Sequence, residues 1–240
     1  MAAELRSTSA TESNSTVVSD LMKSRGRRVH ARVALALLEA LRDHDRPGEV
    51  LDDENVTETL PRRFGLSGVV RSQIYRYQQE AKRGRRIPEA EVTDLIRLVT
   101  RRPDSDEVFQ EVGRSLTAVD GAPAWRRILP PKMVLGLARR RTQARLRALF
   151  GGALVKSAGP SFRLEAVHDV LLEGDPGGGA CALVTGFSQA VLEAYEKVQA
   201  RVTHPECRAR GHLRCLWSIE EGTLSNEARR VPAPSCPDPN

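Results

Sequence analysis

Aromatic residues make up only 4% of this 240-residue chain. That scarcity argues against a stacking platform for single-stranded nucleic acid. Cysteines number four, too few for a disulfide-dense secreted scaffold. No run of 18 apolar residues occurs, so no membrane-spanning helix is expected. The N-terminus lacks an apolar signal-like stretch, and a cytoplasmic location is the expectation. The signatures of several enzyme classes are missing too: there is no Gly-rich phosphate loop, no G-x-S-x-G and no H-E-x-x-H. Asp52-Asp53-Glu54 is a run of adjacent acids, a poor geometry for paired acid–base work. The expectation is a protein that is not an enzyme.

What is present suffices for a packed core and an ordinary surface, with 40% hydrophobic and 28% charged residues. The net charge of +6 is unevenly spread. Residues 1–150 hold 28 Lys and Arg against 20 Asp and Glu, and residues 151–240 hold nine against eleven. A nucleic-acid role would therefore lie in the first part.

Residues 1–27 are rich in Ser, Thr and Ala, and residues 222–240 in Pro; both read as disordered tails. Residues 28–128 read as a helical region. Apolar residues recur at helical spacing over 29–41, 66–83, 88–100 and 105–116. In the second of these, Val69, Val70, Ile74 and Tyr77 share a face, with Ser67 as a cap and Gly84 as a stop. Residues 129–221 form the last unit. It opens with a long basic helix over 131–150, after which the period changes. Phe162, Leu164, Ala166, His168, Val170 and Leu172 alternate with mostly polar neighbours, which predicts a strand paired with residues 153–155. Cys181 opens an amphipathic helix, and residues 201–206 and 214–219 predict two more strands around Gly211. The fold class is α+β: a helical N-terminal half followed by a small antiparallel β-β-α-β-β unit.

Three cysteines fall in that unit. Cys207 and Cys215 bracket a short loop, and Cys181 reaches them if its helix packs beside the hairpin. His204 adds a nitrogen, giving Cys-x22-His-x2-Cys-x7-Cys. A Cys3His set is a closed, structural zinc site, and thiolates favour such ions in a reducing compartment. The plain alternative is three small buried hydrophobes and an exposed histidine. His212 and Glu206 are rival fourth ligands, since strand alternation points Glu206 to the same side as His204.

The stretches Ala180-Cys181-Ala182-Leu183-Val184-Thr185-Gly186-Phe187 and His204-Pro205-Glu206-Cys207, continuing to Gly211 and Cys215-Leu216-Trp217, resemble the 4-vinyl reductase domain family. That family carries an E-x-x-C-x-x-x-G-x-x-x-C-x-[FW] hairpin after a Gly-bearing helix. Its fold is similar to that of vesicle-tethering subunits and haem-NO-binding-associated sensors. It also resembles the sensor domains of phenol-responsive sigma-54 activators, where three cysteines and a glutamate hold zinc. The resemblance implies zinc ligation by Cys181, Cys207 and Cys215, with His204 at the glutamate position. It further implies a homodimeric sensor or regulatory domain that binds a small apolar or aromatic molecule between helix and sheet. Phe162, His168, Phe187 and Trp217 are candidates for lining that pocket, with plain core as the alternative for each. The family's name comes from a proposed reduction of a tetrapyrrole vinyl group. A tetrapyrrole-related reductase component is thus a further reading, though no redox-cofactor site is visible.

Residues 59–78 offer a second motif. A short element, a Gly turn and a helix bearing Arg71, Gln73 and Arg76 resemble a helix-turn-helix, which would make the chain a DNA-binding regulator with a C-terminal sensor. An ordinary helix pair with a solvated basic face is the alternative. The run Arg139-Arg140-Arg141, with Arg145 and Arg147, fits an anionic partner, or side chains whose stems cover apolar surface.

Overall fold

The computed structural model describes residues 26–45, 68–117, 130–159, 161–168, 170–195 and 200–220. Most of the expected tails, Cys236 and the first part of the helix-turn-helix candidate lie outside them. The elements run β1 (Arg28–His30), α1 (Ala31–His44), α2 (Gly68–Lys82), β2 (Arg86–Pro88), α3 (Glu89–Val99), α4 (Ser105–Ser115) and α5 (Pro131–Phe150). There follow β3 (Val155–Ser157), β4 (Arg163–Ala166), α6 (Val170–Gly174), α7 (Ala182–Glu193), β5 (Val202–Glu206) and β6 (Leu216–Ile219). The mixture of helix and strand is the expected α+β.

The last four strands form one antiparallel sheet in the order β3-β4-β6-β5. Leu164 of β4 stands opposite Trp217 of β6, and Val202 of β5 opposite Ile219. The chain leaves this sheet after β4 and returns at β5, with α7 between. Two expectations change here. The alternation over residues 162–172 ends as strand at Ala166, and residues from Val170 turn into the short α6. Buried Val170 and Leu171 satisfy a helix against α3 as well as they would a strand. The first helix also starts later than expected. His30 caps it by accepting from the Arg32 N–H at 3.1 Å. Val29 is therefore left in β1, paired with Ile87 of β2. Strands of three residues are too short for a periodic signal.

The described helices bury most of the faces their spacing predicts. On α2, Ile74 and Tyr77 are buried and Val70 packs against the core, but Val69 is 66% exposed. The buried side chains of the helical stretch and of the sheet unit form one continuous cluster. Its tightest seam is the crossing of α4 and α7. A Cβ added to Gly113 would lie 2.1 Å from the Leu183 carbonyl oxygen, and one added to Gly186 would lie 2.1 Å from that of Gln110. The two backbones are in contact, and glycine on both helices makes that possible.

Arginine side chains bind other joints to this core. Arg86 donates to the Ala148 carbonyl at 2.7 Å near the C-terminal end of α5, and to the Arg28 carbonyl at 3.2 Å. Arg139 holds the β3–β4 turn through the carbonyls of Ser161 (2.8 Å) and Gly159, and Arg145 donates to the Thr117 carbonyl at 3.2 Å. Arg139 and Arg145 of the basic face of α5 are thus spent on carbonyl groups of their own chain.

Two alanine substitutions distinguish the seam from open surface. Gly186→Ala forces a methyl group into a backbone carbonyl and should destabilise the fold by about 1–3 kcal/mol or more. Gly136→Ala, inside α5 with nothing within 4 Å of the added carbon, should stabilise it by about 0.5–1 kcal/mol. Urea denaturation of both variants measures the two signs.

Candidate metal centre

Cys181 closes a tight turn, Gly179–Cys181, that leads into α7. The loop before it is set by Asp175, a buried carboxylate that accepts from the N–H groups of Gly177 (3.0 Å) and Ala180 (2.7 Å). The Cys181 N–H donates to the Gly178 carbonyl at 3.2 Å. Gly178 has φ +82°, and a side chain there would meet the Cys207 sulfur at 2.9 Å. Both its backbone angle and its closeness to the cluster demand glycine.

Cys207 and Cys215 stand at the mouth of the β5–β6 hairpin, one residue beyond the Glu206–Leu216 pair. The loop between them folds back on itself. The N–H groups of Arg210 (3.0 Å) and His212 (3.1 Å) both donate to the Cys207 carbonyl, and Gly211 turns the chain at φ +87°. The Arg208 N–H points at the Cys215 sulfur at 3.4 Å, and the Cys207 and Cys215 sulfurs are 3.9 Å apart.

His204 projects from β5 and stacks flat on Trp217 of β6, with ring centroids 4.6 Å apart and planes inclined by 10°. Its Nδ1 lies 3.2 Å from the Arg210 guanidinium, which also donates to the His204 carbonyl at 3.1 Å. Its Nε2 is buried without a hydrogen-bond partner. One ligand atom from each of Cys181, His204, Cys207 and Cys215 lies within 4.8 Å of all the others. The four residues inferred from spacing converge on one point that can hold a metal ion.

The electrostatics match that use. Burial pushes the Cys181 thiol well above its ordinary range, and the other two thiols push the same way. Burial also raises Cys215. Burial opposes ionisation of Cys207 too, but the N–H groups of Ala209 and Arg210 and the Arg210 side chain outweigh it and bring this thiol below its usual value. Burial, with Arg210 and His212 nearby, pushes His204 down to about 4, so its ring is neutral near pH 7. A neutral imidazole with an unpartnered nitrogen, beside one thiol that ionises readily and two that resist ionising unaided, is a donor set that a cation would complete.

The rival ligands are engaged elsewhere. Glu206 pairs with Arg214 at 2.9 Å. The alternation that placed it beside His204 fails because the β5–β6 register shifts between Thr203 and Glu206. His212 lies against the backbone of Cys207, its Nδ1 accepting from that residue's N–H at 3.2 Å.

Of the candidate pocket residues, Phe162 and Phe187 are fully buried, and Trp217 is the wall against which His204 stacks. His168 contacts the buried Glu89 of α3 at 3.0 Å. His168 and Trp217 border a narrow gap of about 10 Å³, shared with Leu154, Leu171, Cys181 and Cys215. That is room for about one water molecule. Of the candidate nucleic-acid residues, Arg71 is exposed and Gln73 is half-buried. Arg76 pairs with Glu91 at 2.8 Å and lies over the Tyr77 ring.

Asp175, Gly178 and Glu89 went unread in the sequence. The glycine run before Cys181 was the available signal for the first two. No protein-family model, curated protein or solved structure matches this chain.

The His204 shift has a consequence for the metal-free protein. Unfolded, the ring takes its proton near pH 6.5; folded, it does so at about 4. The contribution of the neutral ring is thus full above pH 6.5 and is lost as the pH falls through about 4. Denaturation midpoints of chelator-treated protein should fall over that window, and His204→Gln should flatten that part of the curve.

Proposed function

We propose that this chain is a non-enzymatic regulatory domain, similar to the 4-vinyl reductase domain sensors, whose sheet and last long helix are clipped together by a structural zinc ion. The observation that carries the reading is the convergence of Cys181, His204, Cys207 and Cys215. Zinc–sulfur bonds of about 2.3 Å in a tetrahedron set sulfurs about 3.8 Å apart. Cys207 and Cys215 are 3.9 Å apart, close to that edge. Four protein donors leave no position for a reactive water, which is why the role is structural. Ligation through His204 Nε2 leaves Nδ1 as an N–H, so Arg210 then keeps its bond to the His204 carbonyl and yields the ring.

The ligand in this reading is a small, largely apolar molecule taken up at the gap between α6, the turn that carries Cys181 and the sheet. That gap is lined mainly by apolar side chains and borders the cysteines. Trp217 also lines it, and its buried indole N–H has no partner, so a ligand with one acceptor atom would satisfy it. Side chains fill the remaining space, and uptake selects a more open state of the same site.

Purified protein should contain about one zinc per chain by elemental analysis. Cys207→Ser should lose the metal and lower the melting temperature by on the order of 10 °C. Metal-free protein with unchanged thermal stability would contradict the reading. Native mass spectrometry of the purified chain tests the ligand: a bound small apolar molecule supports it, and loss of that molecule in Trp217→Leu places it at the gap.

A further inference from the structure

The geometry points to Cys207 and Cys215 as a peroxide-oxidised pair that forms a disulfide and expels the metal, making the clip a reversible redox switch. This rests on the metal reading above. The two residues follow directly on the last pair of the β5–β6 ladder, Glu206 and Leu216, and their sulfurs meet across the hairpin mouth. Directly opposed residues of antiparallel strands have α-carbons about 4.5–5.5 Å apart. A disulfide needs about 4.4–6.8 Å. The sulfurs already lie 3.9 Å apart, so side-chain rotation closes the bond without moving either strand. Cys181 differs, because it enters from the start of another element, 26 residues earlier in the chain.

The approach suits a small oxidant. All three cysteines are buried, and the gap bordered by Cys181 and Cys215 has the volume of a water molecule. The Cys207 sulfur is fully buried and packs against Gly178, so the oxidant reaches the pair from the side of Cys215, which borders the gap. Hydrogen peroxide is of that size class. One thiolate attacks the O–O bond, taking one oxygen as a sulfenic acid and releasing hydroxide. The second thiolate attacks that sulfur, forming the S–S bond and releasing the second hydroxide. Two sulfurs lose two electrons in all, and the peroxide gains them. The metal leaves as the hydrated divalent ion, because Cys181 and His204 alone are two donors where a structural site needs four. A dithiol reductant with added zinc reverses the change. The gap proposed for the apolar ligand shares Cys181, Cys215 and Trp217 with the clip region, so oxidation alters the walls of that site.

The test uses the zinc-loaded full chain, titrated with hydrogen peroxide in the presence of a chromogenic zinc chelator. The expected result is release of one zinc per chain, a mass about 2 Da below that of the reduced, metal-free chain, and a peptide map showing a Cys207–Cys215 link. Dithiothreitol and zinc should then restore the starting state. Zinc retained under excess peroxide would overturn the switch while leaving the structural site standing. So would zinc released with Cys181 in the disulfide, or with sulfinate at the cysteines. Protein that binds no zinc at all would overturn both readings. No substitution is needed, so a variant that fails to fold does not enter the result.

Discussion

Three sulfurs and one imidazole held within 4.8 Å of one another set the constraint on which the C-terminal half depends. They come from a turn before a helix, a strand and both sides of a hairpin mouth. Such buried thiols cost stability if ionised alone and contribute little specific geometry if neutral. With a divalent cation they become a cross-link between α7 and the β5–β6 hairpin. The surrounding residues serve that end. Asp175 orders the loop ahead of Cys181, Gly178 lets the backbone approach Cys207, and Trp217 fixes the plane of His204. Arg210 contributes positive charge beside the cluster, where three thiolates would exceed the charge of one divalent ion.

The clip does not stand alone. The helical stretch packs on the same core through the glycine-lined crossing of α4 and α7, and α7 is the helix that Cys181 begins. Arg86 ties the β1–β2 pair to α5, and Glu89 meets His168 beside the gap. A metal bound at the cluster would therefore bear on α7, and through the α4–α7 seam on the helical half. In a regulatory domain, that is a physical route from a small site to a large surface. Its energy has to come from a difference in metal or ligand affinity between two states of the fold.

Much of this was legible in the sequence, for reasons that differ by element. The helices over 105–115 and 131–150 announce themselves because each buries a full apolar face with 3.6-residue spacing. The metal cluster was legible because cysteine and histidine are scarce here and their spacing fits a hairpin. His204 was read as the fourth ligand, but spacing alone could not exclude Glu206, because a register shift in β5 breaks the alternation that spacing assumes. Strand β1 was hidden by its length, and α6 by a pattern equally compatible with a strand. The supporting residues were invisible for another reason. An Asp that accepts two loop N–H bonds, or an Arg that reaches a histidine carbonyl, leaves no periodic trace. The aromatic residues chosen as pocket lining are the largest apolar side chains, and size alone does not distinguish a packed core from a cavity wall.

X-ray absorption at the zinc edge of the purified, metal-loaded chain tests the central claim most directly. Zinc held by these four residues gives about three sulfur scatterers at about 2.3 Å and one nitrogen at about 2.0 Å, with no exchangeable oxygen. A shell dominated by oxygen and nitrogen, or one with fewer than three sulfurs, would contradict it.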